Sequence, residues 1–372
     1  MEPVRLAVVG AGHLGRIHAR LATQLEDAQL VAVVDSNEAA RTAVAADTGA
    51  EPLEDYRQII GSVDAAIVAT PTVTHRKIAG ELLQAGIHTL VEKPIAADVQ
   101  EADELVAIAQ RSGAVLQVGH VERFNPALGR VLPELNEPKF ISCTRISGYP
   151  FRSTDIGVVC DLMIHDLDVV LSLNRCQVAK VEAMGVAVLG KHEDAANARV
   201  TFENGCIVDL TASRLSYRAE RSMQVWTPST FASVDFGMRT TTVVRPSETI
   251  LQRRFQVERL TPEEQNYYKQ HFFEELLVKD AIEGAEGNAL LEEQRDLVRS
   301  IRSGGSPRVT GSHGRDALAL AEQILSAIEH HEWDGRADGR VGPMAALMPA
   351  PILRGPHWDL SPSRVDARRE AG

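Results

Sequence analysis

The chain opens on an apolar run, Leu6–Val9, that stops at Gly10. Helix-patterned sequence follows, with Ile17, Ala19, Leu21, Ala22 and Leu25 apolar. The alternation recurs, with further apolar runs at Leu30–Val34, Ala65–Ala69, Ile87–Val91 and Val115–Val118. Short unbroken apolar runs suit parallel strands covered on both faces. Between them the spacing predicts helices over Glu38–Asp47, from a Thr74 N-cap through Gln84, and over Val99–Gln110 behind an Asp98 N-cap. Tyr56–Ile60 predicts a short amphipathic turn, and Gly49 and Pro71 act as stops. This rhythm predicts an α/β doubly wound sheet, a Rossmann domain over residues 1–122.

Beyond Val118 the pattern changes. Pro126, Pro133 and Pro138 mark a crossing region. Strand-like runs then crowd together: Ile141–Ser147, Val178–Val188, Ala196–Phe202, Cys206–Ser213, Met223–Trp226, Phe231–Phe236, Thr240–Val244 and Glu248–Val257. Asn204-Gly205 is a strong hairpin signal. Helices are expected over Asp161–Leu173, Glu263–Ile282, Ala289–Arg302 and Arg315–His330. Residues 123–308 are therefore expected to form an α+β domain with a largely antiparallel open sheet. Residues 309–332 are expected to form a C-terminal helix packing near the first domain. Residues 333–372 form a Gly-, Pro- and Arg-rich tail to which no chemistry is assigned.

The first strand ends in V-V-G-A-G-H-L-G, the spacing G-x-G-x-x-G. Gly10 permits a tight turn, Gly12 lets backbone approach a pyrophosphate, and Gly15 lets the helix pack close to the sheet. His13 and Leu14 complete the loop, and the helix N-terminus offers free N–H groups to phosphate. Asp35 ends the second strand about 20 residues on, where an acid grips a ribose diol. A carboxylate repels a 2′-phosphate, and Ser36 and Asn37 follow it without an Arg, so the expected cofactor is NAD. The bland alternative is a strand–turn–helix with glycines for packing alone.

Composition narrows the setting. The 372 residues are 44% hydrophobic and 24% charged, as in an ordinary soluble globular protein. A net charge of -12 argues against a nucleic-acid surface. No apolar run is long enough to span a membrane, and the N-terminus runs straight into a strand, so no signal peptide is expected. Cys143, Cys160, Cys176 and Cys206 have neither C-x-x-C nor metal spacing and are expected to stay reduced in a cytoplasmic protein.

Three features in order, the glycine loop, Glu92-Lys93-Pro94 and Asp161-x-x-x-His165-x-x-Asp168, resemble the glucose-fructose oxidoreductase / inositol dehydrogenase (Gfo/Idh/MocA) family. The resemblance covers roughly Val4 to His330. It implies nicotinamide-dependent oxidation or reduction at a carbinol carbon of a sugar or cyclitol, in a homo-oligomer, dimer or tetramer, assembled through the open sheet. By motif it assigns Lys93, Asp161 and His165 as the catalytic set. It places Thr70, Pro71, Thr72 and His75 beside the cofactor and Glu92 on its nicotinamide side, and it allows a cis Lys93-Pro94 bond. The chain departs from the family at Val158, Val159, Cys160 and Met163, where glycines are common; a tighter, more apolar loop is expected there. The segment Val118–Pro126 is similar to the branch that oxidises UDP-linked amino sugars.

Taken by themselves, these residues fit that chemistry. Removing hydride from a secondary alcohol needs a base for the hydroxyl proton and a cation for the alkoxide. His165 has the right ordinary pKa, and Asp161, four residues earlier, is expected to orient its ring from the same helix face. Lys93, at the carboxyl end of a parallel strand, is expected to polarise the hydroxyl. No metal is expected, because the Asp–His spacing lacks a third ligand. Arg123 and Arg152 are candidates for a substrate phosphate, Tyr149 for stacking, and Asn125 is grouped with them. Each is matched by a plain surface or packing role. Alternatives are a non-catalytic NAD sensor of the same fold, a dehydrogenase of a free sugar or cyclitol, and a reductase of an imine or enone.

Overall fold

Strand β1 (Val4–Val9) lies at the centre of the first sheet. The computed structural model describes residues 2–151, 156–282, 286–335 and 339–347. With β1, strands β2 (Ala28–Val34), β3 (Glu51–Leu53), β4 (Ala65–Val68), β5 (His88–Val91) and β6 (Leu116–Val118) form a parallel sheet in the order β3-β2-β1-β4-β5-β6. The order reverses between β1 and β4, so the crevice beyond their carboxyl ends is where such sheets take ligands. Helices α1 (His13–Ala22), α2 (Glu38–Thr48), α3 (His75–Gln84) and α4 (Val99–Ser112) connect the strands.

Period-two alternation assigns each strand residue to a layer. Ala7, Val9, Ala66 and Val68 pack with Leu82 of α3 and Leu105 of α4. Leu6, Val8, Ala65 and Ile67 pack on the other face with Ala19 and Leu21 of α1. Each fully buried Leu or Ile is worth about 1.5–3 kcal/mol, so a one-residue slip would expose a whole layer. Asp98 caps α4, accepting from Glu101 N at 2.8 Å. Thr74 does not cap α3 as expected: its Oγ1 donates back to the Pro71 carbonyl at 2.7 Å.

The second sheet contains β7 (Phe140–Ile146), β8 (Val178–Val186), β9 (Ala195–Phe202), β10 (Ile207–Ser213), β11 (Glu220–Trp226), β12 (Phe231–Asp235), β13 (Thr240–Pro246) and β14 (Leu277–Ile282). Its order is β14-β13-β12-β11-β7-β10-β9-β8, antiparallel except for the parallel pair β7–β10. Helices α5 (Pro126–Val131), α6 (Ile164–Leu173), α7 (Glu248–Leu251), α8 (Pro262–Gln270), α9 (Ala289–Ser303) and α10 (Gly311–Glu329) accompany it. Inward residues such as Ile141, Val200, Leu210 and Met223 pack on Leu167 of α6 and Ile324 of α10.

Two sequence expectations are corrected here. The helix over Glu263–Ile282 survives as α8 and a π turn, Phe272–Leu276; Leu277–Ile282 is an edge strand whose ladder runs along β13 from Pro246 to Thr241. Long-range pairing of an otherwise open edge overrides local helix patterning. The strand over Glu248–Val257 is instead α7 and irregular chain: Ser247 N still bonds Leu276 O at 2.8 Å, but the Ser247 carbonyl then accepts from Ile250 and Leu251 N at 2.9 and 3.0 Å and starts a helical turn.

Two helices join the layers. α9 places Leu291, Leu297 and Val298 in the layer that holds Leu6 and Val8. α10 lies against both α4 and α6. Near the start of the tail, Trp333 Nε1 donates to Gly342 O at 2.9 Å and Ala187 N to Pro343 O at 3.0 Å. Residues 336–338 and 348–372 of the tail lie outside the described residues.

Candidate active site

The glycine loop is built as its spacing demands. Gly10 has φ +101°, and a Cβ on it would come within 2.5 Å of the Ala69 carbonyl oxygen. A Cβ on Gly15 would overlap the Gly10 carbonyl, so helix and strand touch backbone to backbone there. At Gly12 nothing lies within 4 Å of the Cβ position, which leaves open space at the N-terminus of α1. Gly12 is the N-cap and brings no side chain to occupy the first N–H groups. The Asp35 carboxylate is fixed from both sides, Oδ2 accepting from Ala11 N at 2.7 Å and Oδ1 from Asn37 N at 2.8 Å. These features fit a dinucleotide, with pyrophosphate at the loop and ribose at Asp35. One cation was missed: Arg41 of α2 reaches back, its Nη1 donating to the Asp35 and Ser36 carbonyls at 3.2 Å each. No motif spacing flags it.

On the far side of the crevice, Thr70, Pro71 and Thr72 follow β4, and a 3-10 turn carries the chain to His75. His75 is buried and ties two loops together, with Nδ1 2.9 Å from Pro94 O and Nε2 2.8 Å from Thr70 O. Burial lowers its pKa, opposed by the Thr70 and Pro94 carbonyls. The Lys93–Pro94 peptide is cis.

Lys93, after β5, and Asp161, from the second half of the chain, meet directly. Lys93 Nζ donates to the Asp161 carbonyl at 2.7 Å and to Asp161 Oδ1 at 2.8 Å. The two side chains are only 14% and 18% exposed. Asp161 lies in a single π turn, Val159–Met163, that leads into α6. The loop is apolar as expected, with Val158, Val159 and Met163 in the core, but its π turn is wider and not tighter. The buried Glu193 holds the entry to this turn, Oε1 accepting from Val159 N at 3.0 Å, and a Cβ on Gly157 would collide with that carboxylate.

His165 follows one turn later, and its expected carboxylate partner is not there. Asp161 is engaged with Lys93, and His165 Nδ1 is buried without a partner. The i→i+5 bonding of the π turn widens it, so residues four apart no longer stack. Burial first, then the charges of Lys93, Arg145 and Arg221, hold the His165 pKa well below its ordinary value. The ring is thus a neutral base at neutral pH. The next residue, Asp166, belongs to a buried triad: Arg145 bonds Asp166 Oδ1 at 2.7 Å and Oδ2 at 3.0 Å, and Glu122 Oε1 at 2.8 Å.

The other sequence candidates are placed differently. Asn125 is corrected from substrate contact to structural residue: it is buried, its Nδ2 donating to Glu122 Oε2 at 2.9 Å and Phe236 O at 3.1 Å. Arg123 is committed to Asp168 Oδ1 at 3.3 Å, which leaves it poorly placed to fork a phosphate. Burial pushes the Asp168 carboxyl up to about 7 against the pull of Arg123. Glu92 turns inward, Oε1 lying 2.7 Å from His18 Nε2, so its carboxylate is spent on the interior rather than on a ligand. Tyr149 is half-buried, with the Arg214 guanidinium 5.2 Å from its ring centre and Phe151 edge-on. Arg152 lies outside the described residues. Among the described residues, His18, Glu92 and Glu293 form a group of metal-ligand type, but His18 is already used at both nitrogens, by Glu92 and Gln294.

Comparison with known proteins gives the family. Residues 4–120 match the oxidoreductase family with an NAD-binding Rossmann fold, and residues 146–228 match the GFO/IDH/MocA C-terminal domain. The chain is similar to UDP-N-acetylglucosamine 3-dehydrogenase of Acidithiobacillus ferrooxidans, 32% identical over 330 residues, 88% of this chain and 98% of that protein. A solved structure of that enzyme has a TM-score of 0.78 to this one, covering 88% of this chain and 98% of that one. The scyllo-inositol 2-dehydrogenase (NAD(+)) of Bacillus subtilis is 30% identical over 232 residues, 57% of this chain and 68% of that protein. The WlbA dehydrogenase of Bordetella pertussis, solved with NADH and UDP-GlcNAcA, shares the fold at a TM-score of 0.68 and 21% identity, covering 88% of this chain and 97% of that one. This chain belongs to the Gfo/Idh/MocA family of NAD-binding oxidoreductases.

Proposed function

We propose that this protein oxidises a secondary hydroxyl of a UDP-linked amino sugar, in the manner of a UDP-N-acetylglucosamine 3-dehydrogenase. The observation that carries the reading is the meeting of Lys93 Nζ with Asp161 at the carboxyl end of β5, with neutral His165 one turn away. Bound NAD supplies the hydride acceptor. In this reading His165 Nε2 takes the hydroxyl proton, and the Lys93 ammonium stabilises the oxygen as it becomes negative. Asp161 holds Lys93 in place and balances its charge.

Gly10, Gly12, His13, Leu14, Gly15 and Asp35 are assigned to the pyrophosphate and ribose, and Thr70, Pro71, Thr72 and His75 to the wall beside the nicotinamide. The likeness to the Acidithiobacillus ferrooxidans enzyme over nearly its whole length supports the UDP-sugar assignment. Residues 1–122 act as the cofactor unit, 123–308 as the substrate and assembly unit, and 309–332 as a brace. The outer face of the second sheet carries Phe140, Trp226 and Phe231, with ring centres 5.0 and 4.8 Å apart, and supports a homo-oligomer of copies packed there. Free cysteines support a reducing, cytoplasmic setting.

The test is to mix protein with NAD⁺ and UDP-N-acetylglucosamine and follow reduced cofactor by absorbance. Turnover with this sugar and none with inositol or free glucose is the expected result. Tight NAD binding without turnover of any alcohol would favour a sensor and overturn the proposal.

A further inference from the structure

His120 follows β6 at the start of the turn that carries Glu122 and Arg123. It is only 1% exposed, and neither of its ring nitrogens has a partner. Its ring stands edge-to-face with His165, centres 6.4 Å apart and planes at 89°. Three nitrogens of two neighbouring rings are therefore buried and unpaired: Nδ1 and Nε2 of His120, and Nδ1 of His165. Buried polar atoms are rarely left so; they pair with protein or with ordered water. No direct hydrogen bond joins the two rings, so a link between them runs through a bridging water.

His165 has a reason to need such a partner. A base that receives a proton on Nε2 must carry its resting proton on Nδ1, and that N–H needs an acceptor. Asp161 does not supply it, being engaged with Lys93. We propose that His120 is the positioning residue for His165: through one bridging water it accepts from His165 Nδ1–H, and so keeps Nε2 as the unprotonated nitrogen that faces the substrate.

The charges around the pair favour a neutral acceptor. The charges of Lys93 and Arg123 act on His120, and those of Lys93 and Arg145 act on His165. Burial, reinforced by those cations, takes the His120 pKa down to about 3, so it retains an acceptor lone pair at neutral pH. A carboxylate in its place would be drawn to Arg123 or Lys93. The inference rests on His165 being the base of the proposed reaction.

The test reads the proton itself, so that it does not depend on the sugar. Full-length protein labelled with ¹⁵N in its histidine rings and saturated with NAD⁺ is examined by NMR, with His165→Gln identifying the His165 signals. The expected result is one Nδ1–H tautomer of His165 in the parent protein and a mixture in His120→Phe. A His165 proton on Nε2 in the parent, or an unchanged tautomer in His120→Phe, would overturn the proposal. A parent His165 proton on Nε2 overturns the proposal even if His120→Phe fails to fold, and the tautomer in His120→Ala then supplies the comparison. In kinetics, His120→Phe should lower kcat by about 10- to 100-fold, less than loss of a direct carboxylate partner, with KM for NAD within about 2-fold. His120→Asn, whose amide can hold the same water, should recover most of kcat. A purely structural role would instead lower kcat and melting temperature together in both variants. Absence of turnover with UDP-N-acetylglucosamine alongside a single Nδ1–H tautomer would sink the sugar assignment and leave this one standing.

Discussion

Replacing Lys93 by Met separates holding the site together from running it. The substitution keeps the apolar stem and deletes the ammonium. It removes the two hydrogen bonds to Asp161, at 2.7 and 2.8 Å, from a pair that is only 14% and 18% exposed. Asp161 is then left with a poorly solvated carboxylate, a cost of about 1–3 kcal/mol. The remaining exposure lets water offset part of that, so the lower end of the range applies and the protein stays folded. The loss in chemistry is larger. A preorganised charge aimed at a developing oxyanion is worth about 10²–10³ in kcat, or about 2.7–4 kcal/mol. Lys93→Met should therefore melt a few degrees lower, bind NAD nearly as before, and turn over about 10²–10³ times more slowly. Steady-state formation of reduced cofactor, NAD titration by fluorescence and a thermal melt measure the three quantities. A kcat within about 3-fold of the parent would refute the role given to Lys93. A loss confined to NAD affinity would make it a cofactor residue alone.

Other expectations follow from the same geometry. Because burial and neighbouring cations hold the His165 pKa well below 6.5, the base stays neutral as pH falls through that value, and the acid limb of kcat/KM should lie well below it; a limb centred near 6.5 would contradict the assignment. Gly15→Ala drives a methyl group into the Gly10 carbonyl and should abolish NAD binding or folding, read by cofactor titration and urea unfolding; an unperturbed variant would mean the helix can back away from the strand. Arg145→Met strands the buried Asp166 and Glu122 and should cost about 3–5 kcal/mol in urea unfolding, whereas a neutral effect would show the triad to be dispensable. Asp35→Ala should weaken the preference for NAD over NADP, with Arg41 close by to meet a 2′-phosphate; an unchanged preference would refute the ribose assignment.

The Rossmann half was legible because its parallel strands are buried on both faces and so read as unbroken apolar runs, as at Leu6–Val9 and Ala65–Val68. Its glycine loop was legible because each glycine answers a local steric demand. The second half was less legible. Leu277–Ile282 reads as the end of a helix and becomes a strand only because β13 offers it an edge. Glu248–Val257 reads as a strand, but the Ser247 carbonyl accepts from Ile250 and Leu251 and turns the chain into α7. In the site, residue types were legible and partnerships were not. Asp161 stands four residues from His165, yet the π turn sends its carboxylate to Lys93, 68 positions away in sequence. Asn125 and Glu92 look available in one dimension and are consumed by Glu122, Phe236 and His18 in three. His120 lay within the Val118–Pro126 segment without a role of its own there; its burial beside His165 gives it one.

The most direct test of the account is initial-rate formation of reduced nicotinamide from NAD⁺ and UDP-N-acetylglucosamine, with the parent protein and His165→Ala side by side. The account predicts steady turnover by the parent and a loss of about 10² or more in kcat for the variant, with NAD affinity retained. Equal rates in the two proteins, or no reduction of NAD⁺ by the parent with any nucleotide sugar, would contradict it.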